Sequence, residues 1–291
     1  MTSPGMSFPS IAFVGSGVMA EVIIRGLLTK KLLPPLQIHA SGPRQERAAQ
    51  LKQLYGIQTY TDNIEAIAPA QVVVLAVKPQ NLLKVLLQLR PALKASQLVV
   101  TIVAGGRMAS ISQVLSHPAI VRAMPNLPCQ IHRGMTVWTA TDAVTQEQKA
   151  IVKEMLLTMG RENYVEDERD VDRATAVNGT GPAIVAYLIK ALEDAANFIG
   201  ESRPLARTSV LQTLMGTAEM VLESEEHIGE LIDGVTSPGG TTSRALHVLR
   251  KGGVTATITD AIDTAFQRSV EMGDILDEEA LKALKRLESA R

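Results

Sequence analysis

Short apolar runs alternate with helically spaced segments through the first part of the chain, and only helical spacing persists afterwards. Ile11-Ala-Phe-Val14 is an apolar run that ends at a glycine. Residues 20–33 then carry apolar side chains at helical intervals until Pro34-Pro35 stops them. Residues 36–40 predict a second short strand, followed by the breaker Ser41-Gly-Pro43 and a charged helix through about residue 54. Residues 71–77, 98–103 and 120–124 are nearly unbroken apolar runs. Strands that apolar throughout are covered on both faces, and helices between them imply a parallel sheet in an α/β fold. Residues 135–140 predict one more strand, before an amphipathic helix over about 145–159.

Strand-like runs disappear after about Asp167. Ile184, Leu188, Ala191, Leu192 and Ala195 share a helical stripe, with Lys190, Glu193, Asp194 and Asn197 on the other side. Further helices are expected over about 204–223, after Pro238, and over about 256–272. The division expected is therefore an α/β domain over 1–166 and a helical domain over 167–291. Apolar stripes on such long helices point to burial against a partner subunit.

Composition narrows the function. Lys and Arg number 29 against 30 Asp and Glu, so the basic excess of a nucleic-acid partner is missing. One Trp, four Tyr and four Phe leave few rings for base stacking. Cys129 stands alone and the five histidines lack metal-ligand spacing, so neither a disulfide framework nor a metal site is expected. Residues 1–10 lack the basic start of a signal peptide and no apolar run reaches membrane-spanning length, so a cytoplasmic protein is expected.

Gly15-Ser-Gly17-Val-Met-Ala20 follows the first strand and opens a helix. Gly15 permits the tight turn, Gly17 admits a pyrophosphate to the backbone, and Ala20 allows close helix–strand packing. Gly15, Ser16, Gly17, Val18 and Met19 are thus candidate cofactor contacts in a Rossmann-type dinucleotide-binding domain. Where an NAD-binding chain places an acid, this one has Ala40-Ser-Gly-Pro-Arg44. Ser41 and Arg44 suit a 2′-phosphate, which favours NADPH and leaves NADH as a second cofactor. Val77, Lys78 and Pro79 end one apolar strand and Asn126 closes another, where ligand-facing loops of such sheets lie. As the residue after a proline, Asn126 is equally explained as a turn residue. Later, Val235-Thr-Ser-Pro-Gly-Gly-Thr-Thr242 precedes a helix, and its paired glycines predict an anion nest for a carboxylate or phosphate.

With Val77-Lys-Pro-Gln80, Arg122-x-Met-Pro-Asn126 and Thr175-Ala-x-x-Gly-x-Gly-Pro-Ala183, these motifs resemble the pyrroline-5-carboxylate reductase family from Ile11 to about residue 271. The Thr236–Thr242 stretch is the most specific of them. The resemblance implies a helical dimerisation domain, a homodimer, and often a larger ring such as a decamer. It also implies NAD(P)H-dependent reduction of the cyclic imine 1-pyrroline-5-carboxylate to L-proline, the last step of proline biosynthesis. Ser237 and the N–H groups of Gly239, Gly240 and Thr241 are then expected to hold the substrate carboxylate. Thr242 matches the family threonine whose hydroxyl lies near the ring nitrogen, and Glu225 matches a position near the substrate. The chain departs from the family pattern at Asn178, Thr180, Ile184 and Ile228. Reduction of another small cyclic imine or carboxylic acid, or NADPH binding without catalysis, stand as alternatives.

Overall fold

In a computed structural model that describes residues 8–289, the apolar runs form strands at nearly the expected places. The N-terminal stretch read for a leader lies, as far as residue 7, outside the described residues. The strands are β1 (Ile11–Val14), β2 (Ile38–Ser41), β3 (Gln58–Tyr60), β4 (Val72–Leu75), β5 (Leu98–Thr101), β6 (Ile120–Met124), β7 (Gly134–Ala140) and β8 (Gly160–Tyr164). Among them run helices α1 (Val18–Thr29), α2 (Gln45–Tyr55), α3 (Asn63–Ile67), α4 (Leu82–Leu89), α5 (Met108–Leu115) and α6 (Gln146–Leu157). After β8 come α7 (Arg169–Ala174), α8 (Gly181–Phe198), α9 (Arg203–Glu223), α10 (Ile228–Gly234), α11 (Thr241–Lys251) and α12 (Val254–Ser289).

One sheet has the order β3-β2-β1-β4-β5-β6-β7-β8. Its neighbours are parallel from β3 across to β6, β7 pairs antiparallel with β6, and β8 runs parallel to β7. The chain leaves β1 in one direction for β2 and β3, then returns to β4 on the other side. The carboxyl ends of β1 and β4 therefore flank the crevice where such sheets bind ligands.

Strand pleating divides the core in two. Ile11, Phe13, Val72 and Val74 pack with Ile23 and Leu27 of α1 and Val152 of α6. The alternate residues Ala12, Val14, Val73 and Leu75 pack with Leu86 of α4, Ile111 of α5 and Leu276 of α12.

The described residues of Met1–Thr180 and Ala265–Arg291 form one compact unit, and Gly181–Thr264 forms the other. The expected boundary at 166/167 falls inside the first unit, because buried Arg122 of β6 pairs with Asp172 of α7 at 2.6 Å and with Glu168 at 3.0 Å. Ser269 of α12 adds a hydrogen bond to Asp172 at 3.0 Å. The last helix runs past the expected end near 272 as far as Ser289. Its later turns bring Asp274 and Asp277 to Arg107, at 2.7 and 2.5 Å. In the second unit, α8 packs along α9. Tyr187, Phe198 and Leu222 remain well exposed there, 91% in the case of Phe198. No helix among the described residues is long and apolar enough to cross a membrane.

Candidate functional site

The glycine turn sits at the carboxyl end of β1. Gly15 adopts a φ of +102°, and a Cβ there would lie 2.5 Å from the carbonyl oxygen of Ala76. Conformation and space both require glycine at this position. The Gly15 N–H donates to Ser41 O at 3.0 Å and the Ala76 N–H to Val14 O at 2.8 Å, which fixes the turn between β2 and β4. Gly17 is the N-cap of α1, and a Cβ added to it would meet nothing within 4 Å. The first helical bond runs from the Glu21 N–H to Gly17 O at 3.1 Å, so the N–H groups of Val18, Met19 and Ala20 have no helical partner. Open space beside unpaired donors at a helix N-terminus fits a cofactor pyrophosphate.

Arg47, which sequence reasoning missed, braces this turn. Its Nε donates to Ser16 O at 3.0 Å, and its guanidinium pairs with Glu21. Tyr55 donates its hydroxyl to the same carboxylate at 2.8 Å. Burial opposes ionisation of Glu21, but the hydrogen bonds from Arg47 and Tyr55 and the Arg47 charge outweigh it and hold the carboxyl below its usual value. The signal lay in two charged residues in the opening turns of α1 and α2, which the sheet order makes neighbours.

One expected contact needs correction. Ser41 is fully buried and its hydroxyl donates to Asn63 Oδ1 at 2.7 Å, so it turns away from a 2′-phosphate. Strand β2 extends one residue beyond the expected end, and that residue is covered like the rest of the strand. Asn126 uses its side chain internally: Nδ2 donates to Asn178 Oδ1 at 2.7 Å, and Oδ1 accepts from the Met135 N–H at 2.9 Å. The second Nδ2 hydrogen makes no hydrogen bond among the described residues. Arg44 is exposed at the N-cap of α2, and its side chain makes no hydrogen bond or ion pair among the described residues. Lys78 is exposed before the 3-10 turn Pro79–Asn81, while Val77 lies under the glycine turn and packs into the core.

The second unit carries the nest. Gly239 has a φ of +72°, and Gly240 is the N-cap of α11 without a side-chain cap. The Gly240 N–H is already used, donating to Ser237 O at 3.1 Å, which removes it from the expected carboxylate donors. Such a bond closes the turn that presents the others: the N–H groups of Gly239, Thr241 and Thr242 make no hydrogen bond among the described residues. Ser237 lies against Gly240, where an added Cβ would stand 2.3 Å from its Oγ. Thr242 is half-buried in the first turn of α11. Glu225 is exposed in the link between α9 and α10. That link is ordered by the Glu226 N–H donating to Ser224 Oγ at 3.0 Å and by His227, whose Nδ1 accepts from the Gly229 N–H at 3.1 Å. No group of three His, Cys, Asp or Glu suited to a metal ion occurs among the described residues.

The chain matches a family model described as pyrroline-5-carboxylate reductase dimerisation over residues 168–272. Residues 10–105 match one described as NADP oxidoreductase, coenzyme F420-dependent. The pyrroline-5-carboxylate reductase of Pseudomonas aeruginosa is 40% identical over 272 residues, covering 93% of this chain and 99% of the relative. A solved pyrroline-5-carboxylate reductase from Coxiella burnetii superposes with a TM-score of 0.84 at 32% identity, over 91% of this chain and 98% of the other. The Plasmodium falciparum pyrroline carboxylate reductase, solved with NADP bound, also gives a TM-score of 0.84, at 30% identity over 92% of this chain and 100% of the other. A likeness of that extent covers both units, and the chain belongs to the pyrroline-5-carboxylate reductase family.

Proposed function

We infer that this protein reduces 1-pyrroline-5-carboxylate to L-proline with NADPH. The observation that carries the reading is 40% identity to a reductase of that name across 93% of the chain, with both the glycine turn and the nest present. Residues 15–19 would hold the pyrophosphate, with Arg44 at the 2′-phosphate and Val77, Lys78 and Pro79 bordering the cofactor. NADH is a second cofactor for the same turn. When bound, NADPH supplies the hydride that reduces the imine carbon.

The chain's own task is positioning and charge. The N–H groups of Gly239, Thr241 and Thr242, with the Ser237 hydroxyl, would neutralise the substrate carboxylate. Thr242 would direct its hydroxyl at the ring nitrogen and hold the proton there, with Glu225 nearby on the substrate side. A protonated imine is already electrophilic, so this arrangement needs no strong base. Exposed apolar side chains on α8 and α9 support a homodimer built through the matched dimerisation segment, which could assemble into a decameric ring. A cytoplasmic location agrees with this activity.

Thr242→Val tests the assignment. The substitution should lower kcat by about 10²-fold while leaving NADPH affinity unchanged. Unchanged turnover would remove Thr242 from the mechanism, and light scattering at the mass of a single chain would remove the dimer.

A further inference from the structure

The end of α12 lies beyond the segment matched to the dimerisation model, which stops at residue 272. It is nevertheless built into the first unit, where Leu276 and Ala280 join the core beneath α4 and α5. Its last turns and the C-terminal ends of α4 and α5 wall a cleft of about 880 Å³. His117 and Pro118 of this cleft immediately precede β6, so it opens at the amino-terminal edge of the sheet, opposite the glycine turn.

The walls are largely apolar, with Leu87, Leu115 and Leu287 among them. Arg90, Arg286 and His117 also line the cleft, and no acidic side chain does among the described residues. Arg90 donates one Nη to Val114 O at 2.8 Å, and its remaining guanidinium N–H groups make no hydrogen bond among the described residues. Arg286 is exposed and has no ion pair among those residues. His117 is only 4% exposed, and its Nε2 is buried without a hydrogen-bond partner there. Size, apolar walls and a few convergent polar groups are the usual makings of a small-molecule site.

We propose that the cleft binds a small amphipathic carboxylate, its apolar body against the leucines and its carboxylate between Arg90 and Arg286. Two guanidinium groups without an opposing acid among the described residues favour an anion over a neutral apolar molecule. The site is separate from the glycine turn and does not depend on the identity of the reduced substrate.

Calorimetric titration of the full chain tests this, with octanoate, octan-1-ol and acetate as probes. Octanoate should bind at one per chain, and both octan-1-ol and acetate should bind about tenfold more weakly or worse. Arg286→Gln, at an exposed position that leaves folding intact, should weaken octanoate by about tenfold and leave the NADPH oxidation rate unaltered. Arg90→Gln should do the same to octanoate binding. No octanoate binding, equal binding of octan-1-ol, or full affinity in both variants would overturn the proposal.

Discussion

Asn126 donates its Nδ2 to the Oδ1 of Asn178 across 2.7 Å, joining the loop after β6 to the π-helical turn Thr175–Gly179 before α8. Asn178 returns two bonds of its own, from Nδ2 to Met124 O and to Met135 O, each at 2.9 Å. One side chain thus ties the end of β6, the start of β7 and the approach to the helical unit. A serine at this place has one donor and a shorter reach. Asn178→Ser should therefore lower the unfolding free energy by about 1–3 kcal/mol, read from denaturant midpoints. Unchanged stability would mean that these bonds are replaced without loss.

The two turn glycines should separate folding from binding. A Cβ at Gly17 meets nothing within 4 Å, so Gly17→Ala should leave stability within about 0.5 kcal/mol. Because the methyl would occupy the space where a pyrophosphate approaches, NADPH affinity should fall by about tenfold or more. Gly15→Ala places its methyl 2.5 Å from Ala76 O at a φ of +102°, and should cost about 1–2 kcal/mol from backbone conformation alone, before the clash. Equal NADPH affinity in Gly17→Ala and the unaltered chain would contradict this placement of the cofactor.

Much of the first unit was legible because a parallel sheet covered on both faces leaves unbroken apolar runs, each followed by its ligand-facing loop. The same covering hid the fate of Ser41. A strand that ends one residue later than expected turned a loop donor into a buried partner of Asn63, and periodicity does not resolve a shift of one residue. Strand β8 escaped notice because it is polar and alternates half-buried with exposed positions. The extension of α12 was obscured by acids at 274, 277, 278 and 279, although Leu276 and Ala280 keep the core-facing spacing. In the nest, glycine spacing indicated where donors collect, but not that Ser237 O takes the Gly240 N–H.

Acid should weaken the fold partly through Glu21. Burial disfavours its charge, yet the bonds from Arg47 and Tyr55 hold its pKa below the ordinary 4.5. A lowered folded-state pKa means stability that is fully present above the unfolded value and lost as pH falls through the folded one. Glu21→Gln should therefore be less stable at neutral pH, and should lose less of its remaining stability on acidification below 4.5. Thermal midpoints across that range are the readout, and parallel acid limbs for the two proteins would refute the linkage.

The central claim is imine reduction by NADPH, and product analysis tests it most directly. The chain is incubated with NADPH and 1-pyrroline-5-carboxylate, and proline and oxidised cofactor are quantified together. The account predicts repeated turnover with one L-proline formed for each NADPH consumed. Tight NADPH binding with no proline formed would contradict it.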